Sequence, residues 1–174
     1  PAASADAVLL MGPLYHFINE HHRAQAIRHC QRILKPGGAL FAVFLSPYPV
    51  FQFGTESERE RLPNGVTYTT FQGYEVPQYR CWPSDADGLM KENGFDTVRI
   101  RNLEGIGIFL TEEELRHIST PEQKTSFFAT LRNTAEDPER LGVTHQFLYV
   151  GTPAFTAEAE EAVLTGKALL VPAR

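Results

Sequence analysis

Residues 6–46 read DAVLLMGPLYHFINEHHRAQAIRHCQRILKPGGALFAVFLS. Two apolar runs, Ala7–Met11 and Ala39–Leu45, bracket a helical pattern. The first run, from Asp6, is continuous in apolar character, which suits a short parallel strand covered on both faces. Gly12-Pro13 ends it. A helix starts near Asn19 or Glu20. Its apolar positions Ala24, Ile27, Cys30, Ile33 and Leu34 recur at three- and four-residue intervals and make one buried stripe. Arg23, Arg28 and Arg32 fall largely outside that stripe. Pro36-Gly37-Gly38 stops the helix, because proline cannot continue it and glycine tolerates a left-handed cap. Strand, helix and strand with a tight return is a right-handed βαβ unit.

Working outward, residues 46–80 are less regular and rich in Phe, Tyr, Pro and Gly. Glu56–Arg61 (ESERER) reads as a short solvated helix. The rest reads either as a lid or binding insert, or as a packed irregular excursion. Ser84 is the expected cap of a helix running to Asn93, closed by Gly94. Phe95–Leu103 alternates as a strand with one wet face. Thr111-Glu112-Glu113-Glu114 is a capping-box signature for a short helix to Ile118. Thr120-Pro121-Glu122 opens another, expected to bury Phe127, Phe128 and Leu131 and to end near Ala135. Thr144–Gly151 is the last strand. The expected domain covers residues 1–152, with a tail at 153–174 that is helical over Ala157–Leu164.

The bulk numbers exclude several classes. The chain has 174 residues, is 43% hydrophobic and 21% charged, and carries a net charge of −5. That is ordinary globular composition with no basic patch for nucleic acid. No basic amphipathic helix suits a membrane surface, and no apolar run approaches the roughly 18 residues of a spanning helix. Cys30 and Cys81 lack metal-ligand spacing and read as free thiols in a reducing compartment, so cytoplasm is the expected location. His21-His22 and His29 read as a surface histidine face, and no metal site is expected.

In this order the elements resemble a class I S-adenosylmethionine (SAM) dependent methyltransferase from its fourth strand onward. The motifs that carry the resemblance are Leu10-Met11-Gly12-Pro13-Leu14-Tyr15-His16, Leu34-Lys35-Pro36-Gly37-Gly38 and Glu104-Gly105, over residues 6–152. The resemblance implies half of a Rossmann-like α/β fold. Its mixed sheet would have order 4-5-7-6 in family terms, a last strand that is antiparallel, and helices on both faces. In that family the first three strands hold the cofactor. Glycines after the first strand let the backbone approach it, and an acid after the second binds its ribose. No Gly-x-Gly stands between a strand and a helix in this sequence; Gly105-Ile106-Gly107 follows a strand in the wrong half. The chain alone is therefore expected to bind SAM weakly or not at all, with no cofactor unless a missing half is supplied. It would be either a piece of a working enzyme or a short protein in its own right. Without a neighbour, Ala7–Met11 becomes an apolar sheet edge, and a homodimer through strand 6–12 is the expected partner arrangement.

His16 is the leading candidate for catalysis, because it lies just beyond the carboxyl end of a strand, where open α/β sheets bind ligands, and histidine as a residue type serves as general acid or base. Tyr15 offers a phenol, and Glu104 a carboxylate that would pair with His16 as an acid–base couple. Ser46, Tyr48, Phe51, Phe53, Tyr68, Phe71, Tyr74 and Trp82 would line a pocket for a flat aromatic or polyene small molecule, or else fill core space. Three functions follow. One is a SAM-independent isomerisation, cyclisation or dehydration, pericyclic chemistry included, of a secondary metabolite. Another is the substrate-binding half of a SAM-dependent methyltransferase. The third is a non-catalytic binding partner.

Overall fold

The computed structural model describes residues 2–138, 140–141 and 143–154, so the expected tail helix lies outside the described residues. Strand β1 (Ala5–Leu10) leads through the short helix α1 (Pro13–His16) to α2 (Glu20–Ile33) and the long strand β2 (Leu34–Leu45). The side chain of Asn19 caps α2 by accepting from the His21 N–H at 2.8 Å. Ile27 and Cys30 on its stripe are buried. Arg23, expected to lie largely outside the stripe, is buried instead. Its guanidinium donates to the carbonyls of Phe17 at 2.7 Å and Ile18 at 2.8 Å, closing the chain that enters the helix.

Residues 46–80 are more regular than their sequence suggests. Helices α3 (Tyr48–Phe53) and α4 (Glu56–Arg61) are followed by a single 3-10 turn and an antiparallel hairpin, β3 (Val66–Phe71) with β4 (Tyr74–Tyr79). The hairpin turns on Gln72 and Gly73, both at positive φ, as two-residue hairpin turns require. Then come α5 (Pro83–Glu92) and β5 (Phe95–Asn102), a 3-10 turn over Gly105–Phe109, α6 (Glu112–His117), α7 (Pro121–Thr134) and β6 (Gln146–Pro153). Helix α5 starts before the expected cap Ser84: Pro83 takes its first position, and the Asp85 carboxylate accepts the Trp82 N–H at 3.1 Å. The expected capping box forms at Thr111 with Glu114, and Thr120, at the expected start of α7, forms another with Gln123. Phe128 does not bury, standing 54% exposed, because α7 packs on the 3-10 turn rather than on the main core.

The sheet runs β1-β2-β6-β5. Strands β1 and β2 are parallel, and β6 is antiparallel to both its neighbours. This is the 4-5-7-6 order expected from the resemblance. The main core joins Ile27 and Cys30 of α2, Ala86 and Met90 of α5, and Leu40, Ala42, Phe44, Phe147 and Tyr149 of the central strands. Phe44 and Phe147, directly paired, stack at 5.5 Å. The opposite face is covered unevenly. Near β5, Glu136 just beyond α7 pairs with Arg99 and Arg101, whereas Leu9 of β1 is 67% exposed. The expectation that β1 is covered on both faces therefore fails: only Val8 and Leu10 pack on the core. Among the described residues, no helix is long and apolar enough to cross a membrane.

Two glycines near α5 separate conformational freedom from helix propensity. Gly94 caps the helix at φ +82°, and a Cβ there would lie 2.1 Å from Gln31 Nε2, which donates to the Gly94 carbonyl. Gly88 lies inside the helix with open space around it. Gly94→Ala is expected to destabilise by about 1–3 kcal/mol. Gly88→Ala is expected to stabilise by about 0.5–1 kcal/mol. Urea unfolding midpoints shifting in opposite directions would verify both.

Candidate functional site

Strand β2 ends where β6 begins, and this junction is held by a polar clasp. Ser46 is buried; its hydroxyl donates to the Thr144 carbonyl and accepts from the Tyr48 N–H at 3.2 Å. The Ser46 N–H donates to the His145 carbonyl at 3.0 Å. Thr144 in turn donates its hydroxyl to the Glu104 carboxylate, which also accepts the Gln146 N–H at 3.1 Å. Glu104 is thus bound to the start of β6. The expected couple with His16 does not form. His16 is exposed at the end of α1, with its ring tilted against Tyr15 at 4.6 Å. Tyr15 folds back so that its hydroxyl lies 3.2 Å from where a Cβ on Gly12 would stand, at φ +142°.

The aromatic candidates separate into groups. Tyr48 meets Phe109 edge-on at 6.4 Å, and Phe53 meets His145 edge-on at 6.3 Å. Phe51 stacks on Trp82 at 6.0 Å. Tyr68 lies under Arg61, 5.2 Å from its guanidinium carbon. Phe71 and Tyr74 face each other across the hairpin turn, 63% and 75% exposed. Of the eight substrate-binding candidates, Trp82 alone lines the cleft of about 300 Å³ that opens beside the end of β2. Pro47, Leu62, Tyr79, Arg80, Cys81 and Asp85 line it as well.

Sequence reasoning missed Arg80, Arg23 and His145. Arg80 is half-buried. It donates through Nε to the Thr67 hydroxyl at 2.8 Å and through its terminal nitrogens to the Ser46 carbonyl and the Gln78 side chain, both at 3.0 Å. Arg23 stacks on the Tyr79 ring at 3.6 Å, and its Nε is buried without a hydrogen-bond partner. His145 Nε2 is likewise buried and unpaired. Reading β4 as a strand would have found Arg80, since it carries the chain back to Ser46. Burial pushes the Tyr79 phenol and the Cys81 thiol each up to about 12, so both stay neutral at physiological pH. His22 and His29 are exposed, and among the described residues no three metal-type side chains converge.

The clasp and the exposed histidine give opposite expectations. Glu104→Ala strands donors at the start of β6 and is expected to cost about 1–3 kcal/mol in stability. His16→Ala should stay within about 0.5 kcal/mol. Chemical denaturation of the two variants beside the parent chain measures the difference.

Residues 1–42 match the family model described as a methyltransferase domain. No curated protein matches the chain. Similar solved structures include a SAM-dependent methyltransferase from Methanosarcina mazei, 14% identical, with 89% of this chain and 62% of that one covered at a TM-score of 0.58. The CcbJ methyltransferase of Streptomyces caelestis is 10% identical, with coverage of 87% and 61% and a TM-score of 0.52. A SAM-dependent methyltransferase from Clostridium acetobutylicum is 9% identical, with coverage of 87% and 59% and a TM-score of 0.52. The chain spans less than two thirds of each of these three proteins. Tyr15 fills the space beside Gly12, while Gly105 and Gly107 face Leu131 and Phe127 of α7. Neither glycine turn leaves an open backbone cradle. The chain carries the class I SAM-dependent methyltransferase fold in the sheet order of strands four to seven, with residues 1–42 matched to the methyltransferase domain family.

Proposed function

We propose that this chain supplies the acceptor-binding half of a small-molecule methyltransferase, and that the cofactor-binding half is polypeptide paired along the free edge of β1. The observation that carries the reading is the contrast between the two outer strands. Beyond Asp6, β1 has no charge, and Leu9 and Met11 stand 67% and 50% exposed. Strand β5 carries Asp96, Arg99 and Arg101 and a register shift between Thr97 and Arg99, the devices that blunt an edge against pairing. In this reading the chain's own residues bind and orient the acceptor in the cleft at the carboxyl end of β2. The clasp of Ser46, Thr144 and Glu104 holds that end in place. No chemical step is assigned to His16, Tyr15 or Glu104. A SAM-independent isomerase needs a closed pocket facing His16, and a non-catalytic partner needs His16 buried in packing. The exposed His16 favours neither.

The test is transfer of labelled methyl from SAM to a panel of small phenols and carboxylic acids. It compares residues 1–174 with the polypeptide of the complete native open reading frame. Product from the complete reading frame and none from residues 1–174 is expected. Product from residues 1–174 alone overturns the assignment of the cofactor cradle to other polypeptide, and product from neither overturns methyl transfer.

Residues 1–174 alone should cover the same edge with a second copy. Light scattering at high micromolar concentration is expected to give a dimer mass, and Leu9→Lys, which puts a charge on the bare strand, a monomer. A monomeric parent chain rules the homodimer out.

A further inference from the structure

We propose that the cleft beside Arg80 binds the acid group of a flat aromatic monocarboxylate, with the ring against Trp82. The role of that molecule as methyl acceptor rests on the proposed function; its binding does not. Of the five N–H donors of Arg80, three are committed, all to neutral oxygens of Thr67, Ser46 and Gln78. Among the described residues no carboxylate forms an ion pair with Arg80 or Arg23, in a chain whose net charge is −5. Glu58 acts on Arg80 only at a distance, because its carboxylate caps α4 through Thr55. A half-buried guanidinium with fixed geometry, spare donors and no ion-paired carboxylate among the described residues is the group that recognises a planar carboxylate. Arg23, stacked on the Tyr79 ring that forms one wall, adds a second positive charge behind that wall.

The shape of the cleft selects the rest of the ligand. Trp82 is 39% exposed and braced by Phe51, so it offers a fixed flat face. Tyr79, Cys81, Leu62 and Pro47 make the other walls neutral or apolar. A volume of about 300 Å³ is at the small end for an organic ligand and suits a single substituted ring. Asp85 also lines the cleft, and its carboxylate caps α5 by accepting the Trp82 N–H. Its carboxylate opposes a doubly charged phosphate more than a singly charged acid, and it sets a limit on affinity that one substitution can lift.

Trp82 is the only tryptophan in the chain, so its fluorescence reports on this cleft without labelling. Titrating residues 1–174 with 4-hydroxybenzoate is expected to give a saturable change. 4-Hydroxybenzamide, the same shape without the charge, should bind about tenfold more weakly, a factor that corresponds to about 1.4 kcal/mol. Arg80→Lys keeps the charge but loses the fork, and should abolish most of that preference. Asp85→Asn keeps a capping oxygen and removes the opposing charge, so it should tighten the carboxylate about threefold and leave the carboxamide unchanged. If acid and amide bind equally, or neither saturates, the proposal is overturned. It is also overturned if folded Arg80→Lys keeps the preference. Should that variant fail to fold, the comparison of acid with amide and the Asp85→Asn response decide. The titration contains no SAM. Carboxylate selectivity without methyl transfer therefore sinks the methyltransferase reading alone, and methyl transfer without selectivity sinks this subsite alone.

Discussion

The antiparallel pairing of β2 with β6 is the interaction on which the rest of the fold depends. It runs from Leu40 opposite Gly151 to Leu45 opposite Gln146, joining segments far apart in the sequence. Such non-local pairing requires the intervening loop to be ordered before it returns any contact energy. The stack of Phe44 on Phe147 and full burial of Tyr149 supply that return, since removing a ring of this kind typically costs about 3–5 kcal/mol. The same pairing fixes the functional end of the sheet. Once Leu45 faces Gln146, Ser46 must meet Thr144 and His145, and Glu104 then anchors to the hydroxyl and N–H that this junction presents. The clasp is a consequence of the register, and the cleft hangs from the clasp, because Arg80 donates to the Ser46 carbonyl.

That dependence explains why Arg80 and Arg23 can lie inside the protein without carboxylate partners. A guanidinium loses hydration on burial, and the loss must be offset by acceptors that do not move. Backbone carbonyls of Phe17, Ile18 and Ser46 serve this role, and each belongs to a segment already held by other bonds. Neutral acceptors satisfy the geometry, and the charge of Arg80 is met at a distance by the Glu58 carboxylate rather than by an ion pair among the described residues. Arg80 at the cleft and Arg23 behind the Tyr79 ring are opposed there by the Asp85 carboxylate, while the Tyr79 phenol and the Cys81 thiol remain protonated and add no negative charge of their own.

The parts legible in the sequence were those fixed locally. The stripe of α2, its start at Asn19, the capping box at Thr111 and the start of α7 at Thr120 follow from short-range spacing. The sheet order followed from the resemblance carried by Gly12-Pro13 and Lys35-Pro36-Gly37-Gly38. The hairpin of β3 and β4 was not legible. Its strands are largely exposed and lack apolar alternation, Pro77 argues against a strand, and Gln72-Gly73 is a weak turn signal. Arg23 could not be placed for a different reason: its burial depends on Tyr79, which only that hairpin brings to α2. The site's charged groups were thus hidden behind the one supersecondary unit whose pattern was weakest. His16 and Glu104, by contrast, stood at conspicuous positions and proved, respectively, exposed and committed to the clasp.

The two ends of the sheet solve the edge problem differently, and the difference bears on what the protein is for. At β5, charges at Asp96, Arg99 and Arg101 and a shifted register make further pairing unfavourable, and Glu136 covers two of those charges. At β1 the only charge, Asp6, is at the start and is tied to Lys35 at 2.8 Å. From Ala7 to Met11 no charge or proline discourages another strand, and among the described residues none covers Leu9 on the face away from the core. An edge whose backbone groups, side chains and lack of charge all suit pairing is a hazard if left bare. The proposed function reads this edge as an interface. The same strand delivers Gly12 and α1 to the wall of β4, so whatever pairs with β1 lies next to the segment that shapes the cleft. The β1 edge and the Tyr79 wall of the cleft are therefore linked through α1, which packs on β4.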